Sequence, residues 1–195
     1  MIMTKIQNLS RRNFVKVFGL ATGGIILGCN VSGDKKEFVP SSSDKNSFSP
    51  NLFVNINKNG KITLIASRSE MGQGIRTSLA SAIADELEAD WDYISVEQAV
   101  GHEKYGNQNT DGSRSVRTML EPMRKMGATV KMMLISAASK RWGISSNECV
   151  AENHYIRNTK NNEKIFFGDL VEEASKVKIP DTENIKLKEI KDFKY

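Results

Sequence analysis

Apolar residues alternate in Phe53-Val54-Asn55-Ile56-Asn57 and cluster in Lys61-Ile62-Thr63-Leu64-Ile65-Ala66, on either side of Asn59-Gly60. A period of two marks a half-buried strand, and Asn-Gly supplies the positive φ angles of a tight turn, so these runs predict a β-hairpin. The period then lengthens. Leu79, Ile83, Leu87 and Trp91 recur every four residues, with Asp85, Glu86, Glu88 and Asp90 on much of the other face. This predicts an amphipathic helix from about Gly74 to Asp90 with a solvated acidic side. Tyr93-Ile94-Ser95-Val96-Glu97-Gln98-Ala99 returns to period two and predicts a further strand. The polar stretch from Gly101 to Ser115 has no apolar periodicity and reads as a long loop, of a length that is usually functional or disordered. Met123, Met126, Val130, Met133, Leu134 and Ala137 form the stripe of a second helix, with Pro122 suited to its first turn. A methionine-rich stripe of this kind reads as core. Val150 to Arg157 and Lys164 to Phe167 predict a last hairpin, and Gly168 to Lys176 a short helix. The sum is an α+β fold: β-hairpin, helix, strand, long loop, helix, hairpin and short helix.

With 195 residues and 39% hydrophobic content, the chain can bury one substantial core. Its net charge of +5 invites a nucleic-acid partner, but residues 1–29 hold Lys5, Arg11, Arg12 and Lys16 and no acidic residue. The remainder has 24 basic against 23 acidic residues, which leaves no electrostatic footprint for nucleic acid. Ser10-Arg11-Arg12-Asn13-Phe14-Val15-Lys16, followed by an apolar run from Val17 to Leu27, reads as a twin-arginine export signal. That route carries folded proteins, which points to a cofactor assembled before transport. Ile26-Leu27-Gly28-Cys29 resembles a lipoprotein processing site, where a lipidated Cys29 would tether the mature protein to the outer face of a membrane. Cys149 is then without an intrachain partner and reads as a small buried hydrophobe. Residues 30–51, rich in Ser, Asp and Lys, read as a flexible tether, so the folded part is expected over 52–178. Residues 179–195, a charged tail with Pro180, read as a linker to a further segment.

Gly72-Gln73-Gly74 stands just before the first predicted helix, where orphan N–H groups and the positive dipole end attract anions. The glycines would let a phosphate or polar cofactor approach the backbone; by local pattern alone, a plain glycine turn is the simpler account. Asn109-Thr110-Asp111-Gly112-Ser113-Arg114-Ser115-Val116-Arg117 combines hydroxyls, backbone N–H groups and two guanidinium groups, a composition suited to phosphate or pterin, with a mobile surface loop as the alternative. The other candidates carry less. His102 and His154 have no metal-ligand spacing and read as surface residues, Glu70 and Glu103 are stray candidates for acid–base work, and Ser113 and Ser115 lack a histidine base.

Taken in order, Glu70-Met71-Gly72-Gln73-Gly74-Ile75-Arg76-Thr77, Asp85-Glu86-Leu87-Glu88-Ala89-Asp90-Trp91, Glu103-Lys104-Tyr105-Gly106-Asn107-Gln108 and Gly112-Ser113-Arg114-Ser115-Val116-Arg117 resemble one family. It is the large, molybdopterin-binding beta subunit of isoquinoline 1-oxidoreductase, within the xanthine dehydrogenase and aldehyde oxidase group of molybdenum hydroxylases. The resemblance runs from the export signal to Asp192-Phe193. It implies a molybdopterin cytosine dinucleotide carrying molybdenum, hydroxylation of an N-heterocycle or aldehyde with oxygen from water, and electrons leaving through a small iron–sulfur subunit. It also implies that Gly72, Gln73 and Gly74 lie against the cofactor, with the Gln73 amide near its pterin or dithiolene end, while Gly112, Ser113, Arg114 and Ser115 hold another part. The family's large subunit is several times longer and carries its substrate pocket and glutamate base elsewhere. No catalytic residue or metal ligand is therefore assigned here, and the chain alone is expected to be inactive. Its expected partners are the remainder of the large subunit, the iron–sulfur subunit and a small-molecule substrate. The competing reading is an exported lipoprotein module that binds a small anionic ligand or a protein without catalysis.

Overall fold

The computed structural model describes residues 46–181 and 185–195. The twin arginines, Cys29 and most of the expected tether lie outside those residues.

The hairpin around Asn59-Gly60 is present: β2 (Val54–Asn57) and β3 (Ile62–Ala66) run antiparallel, with Val54 opposite Leu64 and Ile56 opposite Ile62. All four side chains are buried, as the period-two pattern requires. The fold starts earlier than expected. Ser47–Asn51 forms a strand, β1, antiparallel to β2, and Phe48 enters the core opposite Ile56. One buried aromatic anchors a stretch whose polar composition reads as a tether.

After β3 comes helix α1 (Ile75–Leu87), then β4 (Ile94–Gln98), which pairs parallel to β3 with Ala66 opposite Gln98. The strand order of this sheet is β1-β2-β3-β4. Leu79, Ile83 and Leu87 are buried as the periodicity demands. The helix ends at Leu87 with Glu88 in the left-handed conformation, and Trp91 belongs to a separate short 3-10 turn, Trp91–Tyr93.

Helix α2 (Arg114–Trp142) is longer than its apolar stripe suggested. Pro122 lies in its interior instead of its first turn, where it removes one intrahelical N–H donor. The buried row Met123, Val130, Met133, Leu134 and Ala137 sustains the helix beyond it, so the methionines are core residues. α1 and α2 pack on each other, and at their crossing Gly127 sits so close to α1 that an added Cβ would lie 2.4 Å from the Ile83 carbonyl oxygen.

The acidic side of α1 is not solvated. Asp85 and Glu86 are 5% and 1% exposed, covered by the segment 185–195. Lys188 Nζ donates to Asp85 Oδ1 at 2.7 Å and pairs with Glu88 Oε1 at 2.7 Å. Arg124 Nε donates to Glu86 Oε1 at 2.8 Å, the Lys194 backbone N–H donates to Asp85 Oδ2 at 3.2 Å, and Lys194 Nζ pairs with Glu88. The Tyr195 hydroxyl donates to the Ala89 carbonyl at 2.8 Å. Burial works against the Lys188 charge, but Asp85 and Glu88 outweigh it and raise the pKa. Within the stretch expected as a linker, residues 185–195 therefore form a packed strap, held because buried carboxylates demand cationic partners.

The last expected hairpin is a three-stranded antiparallel sheet of β5 (Cys149–Glu152), β6 (Tyr155–Asn158) and β7 (Lys164–Phe166). What the sequence suggests as one strand, Val150 to Arg157, is folded back on itself at Asn153 and His154, which have φ of 44° and 73°. A short helix, α3 (Val171–Ala174), follows a 3-10 turn, and Cys149 is buried with a free thiol.

His154 is also a buried residue, not a surface one. The Asp90 backbone N–H donates to its Nδ1 at 3.1 Å, so Nε2 carries the proton and donates to the Gly60 carbonyl at 2.9 Å. Its ring lies 4.6 Å from that of Tyr93 and 4.8 Å from that of Phe167. Burial pushes its pKa below the ordinary histidine value, against smaller upward pulls from the Gly60 carbonyl and Asp90. The unfolded chain thus binds this proton more readily than the folded one. The stabilisation is fully present above the unfolded histidine pKa, about 6.5, and is lost as pH falls from there towards the depressed folded value. Urea midpoints recorded from pH 7.5 to pH 5 should fall for the wild type and flatten for His154→Gln; equal slopes would exclude His154 as the source.

Candidate functional site

Parallel pairing of β3 and β4 opens the carboxyl ends of both strands at the same edge of the sheet. The chain leaving β3 runs through Ser67–Gly74 into α1, and the chain leaving β4 runs through Ala99–Ser113 into α2. Both expected ligand loops therefore emerge side by side, at the position where open α/β sheets ordinarily receive ligands.

Hydrogen bonds stitch them together. The Ser69 N–H donates to the Gln108 carbonyl at 3.3 Å, Gln108 Nε2 donates to the Ser67 carbonyl at 3.2 Å, and the Thr110 hydroxyl donates to the Ser69 carbonyl at 2.8 Å. Between the loops lies a cleft of about 360 Å³, lined by Met71, Gln73 and Ile75 from one side and Gly112, Ser113 and Ser115 from the other. Met71 is 69% exposed and Ile75 is buried, so the lining combines apolar side chains with the hydroxyls of Ser113 and Ser115.

The helix-start geometry of the first loop is specific. Gly72 and Gly74 have φ of 92° and 82°, and among the described residues nothing lies within 4 Å of a Cβ placed on either, so both are glycine for their conformation and leave an open face. Glu70 occupies the donors at this helix start. Its Oε1 accepts from the N–H groups of Gly72 at 2.7 Å and Gly74 at 3.0 Å, and its Oε2 accepts from that of Arg76 at 3.0 Å. The Arg76 and Gly74 bonds foremost hold its carboxyl below the usual range, against a desolvation penalty. Glu70 is thus an internal cap, with its carboxylate set against the positive end of α1. The Gln73 side chain is used locally: Oε1 accepts from the Met71 N–H at 2.6 Å and Nε2 donates to the Ser69 carbonyl at 3.1 Å.

At the second loop, Ser113 caps α2 in the left-handed conformation without a side-chain hydrogen bond to the helix. The Ser115 hydroxyl is buried and donates to the Thr110 hydroxyl at 3.3 Å. Arg114 turns to Asp111, 3.3 Å away. Of the seven residues expected to form the site, Gln73, Gly112, Ser113 and Ser115 line one cleft, Gly72 and Gly74 shape its first wall, and Arg114 pairs beside it. Glu103 stands apart in an exposed 3-10 turn, Glu103–Tyr105. A second cleft of about 180 Å³, between α1, α2 and the strap, is lined by Asp85, Glu86 and Arg124, whose charges are paired within the chain.

Sequence reasoning missed Arg68 and the role of Gln108, which join Thr110 in tying the loops together. Gln108 stood only within a resembling motif, and a single arginine after a strand gives no local sign that it is buried.

The family model described as "Molybdopterin cofactor-binding domain" matches residues 4–194. The isoquinoline 1-oxidoreductase subunit beta of Brevundimonas diminuta is 30% identical over 89% of this chain, which spans 23% of that protein. The membrane-bound aldehyde dehydrogenase [pyrroloquinoline-quinone] of Gluconacetobacter polyoxogenes is 30% identical over 84% of this chain, which spans 21% of it. Among solved structures, quinoline 2-oxidoreductase from Pseudomonas putida 86 superposes with a TM-score of 0.50 over 61% of this chain and 15% of its own, at 20% identity, a likeness of fold.

Proposed function

The chain belongs to the molybdopterin cofactor-binding domain family, and on that premise we propose that its paired loops form one wall of the cofactor site in the large subunit of an exported molybdenum hydroxylase. The observation that carries this reading is the single cleft shared by Gln73 and the Gly112–Ser115 turn. The residues fit such a group: Gly72, Gly74 and Gly112 all present backbone with open space in front of it. When bound, the cofactor supplies the molybdenum centre at which an N-heterocycle or aldehyde gains an oxygen from water.

The two helix starts divide the work. Glu70 already fills the N–H groups of Gly72, Gly74 and Arg76, so Gly72-Gln73-Gly74 meets the pterin end through the Gln73 amide, with the open faces of the two glycines against it. The start of α2 has no side-chain cap, so Gly112, Ser113 and Ser115 take the anionic part, the pyrophosphate of a cytosine dinucleotide form, with Arg114 beside it. Turning Gln73 outward gives up two local hydrogen bonds, about 1 kcal/mol each, while Glu70 keeps the turn in place.

The wider protein, on this reading, leaves the cytoplasm by the twin-arginine route and is periplasmic or lipid-anchored at Cys29 on the outer face. It works with the remainder of the large subunit and an iron–sulfur subunit. Molybdenum and releasable cytosine nucleotide are measured in the assembled complex carrying Gln73→Ala or Ser113→Ala. Each variant should retain about tenfold less, the value of one hydrogen bond to a charged or polarised group. Unchanged contents would overturn the assignment, and absence of cytosine nucleotide from the wild type would overturn the dinucleotide form. Cell fractionation tests the address: replacing Arg11 and Arg12 by lysine should trap the protein in the cytoplasm, and Cys29→Ser should release it from the membrane fraction. A wild-type protein found in the cytoplasm would refute export.

A further inference from the structure

We propose that Arg68 is the positioning residue of this cleft: its buried guanidinium sets where the stretch Asn107–Ser115 stands against Gly72–Gly74. The proposal rests on reading the cleft as the cofactor wall.

Arg68 follows β3 directly and is 3% exposed. Its Nη1 donates to the Asn109 carbonyl at 2.7 Å and to Asn107 Oδ1 at 3.4 Å, and its Nη2 donates to Thr118 Oγ1 at 3.2 Å. These acceptors bracket the turn Gly112–Ser115, two before it and one in the first turns of α2. One planar head therefore spans the whole segment that carries the second wall. A lysine could not replace it, because a point charge cannot reach divergent acceptors from one fixed plane.

The energetics point the same way. Among the described residues, none of the hydrogen-bond acceptors of this guanidinium is a carboxylate; they are a carbonyl, an amide oxygen and a hydroxyl. A buried cation is costly unless polar groups surround it, so the loop must keep those oxygens turned inward. Burial and the neighbouring Arg114 charge lower its pKa, with Asp111 pulling the other way. Arg68 Nε and Ser67 Oγ have no hydrogen-bond partner among the described residues, so the side-chain hydrogen bonds of Arg68 all go to the second loop and α2. The backbone of Arg68 is held separately: Gln98 Nε2 donates to its carbonyl at 3.2 Å. The residue joins the end of one parallel strand to the loop leaving its neighbour.

Amide hydrogen exchange of the full 195-residue chain, read peptide by peptide, tests the clamp. In Arg68→Met and Arg68→Lys, amides of 107–118 should exchange about tenfold faster or more, while those of β5–β7 stay at wild-type rates. Molybdenum retention in the assembled complex should fall in both, with lysine giving no rescue. Unchanged exchange in 107–118, a uniform rise across the chain, or rescue by lysine would each overturn the proposal. Should Arg68→Met fail to fold, Thr118→Val removes one acceptor at an exposed position and should give a smaller rise confined to the same stretch; no local rise there would also overturn it. Faster loop exchange with undiminished molybdenum would leave the clamp standing and refute the cofactor reading instead.

Discussion

Lys188→Met is expected to destabilise the protein by about 3 kcal/mol, because it removes the cation shared by two carboxylates held under the strap. The Lys188 side chain is 9% exposed, and its partners Asp85 and Glu88 are 6% and 14% exposed. An exposed pair would be worth only about 0.2–1 kcal/mol, so burial decides the magnitude. The value is set at the low end of the range for broken buried pairs because Lys194 stays beside both carboxylates. Urea unfolding measures it, and the double variant Asp85→Asn with Lys188→Met should cost less than Lys188→Met alone. A loss below about 1 kcal/mol, in the range of exposed pairs, would mean that the strap lifts and Asp85 returns to water.

Gly127→Ala is expected to cost about 2 kcal/mol. In an open helix interior the same change would gain about 1 kcal/mol, since alanine is the better helix former. Here the new methyl would stand 2.4 Å from the Ile83 carbonyl oxygen and 3.1 Å from Glu86 Cβ. Backbone on α1 cannot swing aside as a long side chain can, so α1 and α2 must separate along a face that buries Ile83, Leu87, Val130 and Leu134. The urea midpoint should drop with the slope unchanged; a rise would show that the helix crossing has room for the methyl.

The elements most legible in the sequence were those whose pattern is local. The β2–β3 hairpin, the apolar rows of both helices and strand β4 follow from spacing alone. So do the two candidate loops, picked out by glycines, a glutamine and hydroxyls ahead of helices. Other features misled for one common reason. Asp85 and Glu86 occupy the positions of a solvated helix face and become buried only because Lys188 and Lys194 arrive from more than a hundred positions away. His154 sits in a two-residue turn, where surface is the ordinary expectation, and is buried because Tyr93 and Phe167 close over it. Pro122 marks a helix start by its chemistry, but the stretch from Arg114 has enough helical support to begin earlier. Phe48 is a lone apolar residue in polar surroundings, too little for a periodic signal and enough for an edge strand.

By itself the sequence determined most of the strands and helices, two loops that are candidates for ligand chemistry, and the family that their order of motifs resembles. Periodicity and motif spacing are properties of neighbouring residues and need no partner elsewhere. Only the tertiary structure decided that the two loops share one cleft, that Glu70 is spent as a cap, and that Arg68 ties the walls together. Each depends on the parallel pairing of β3 with β4 or on a hydrogen bond that closes only in the folded chain, and no local spacing encodes those partners.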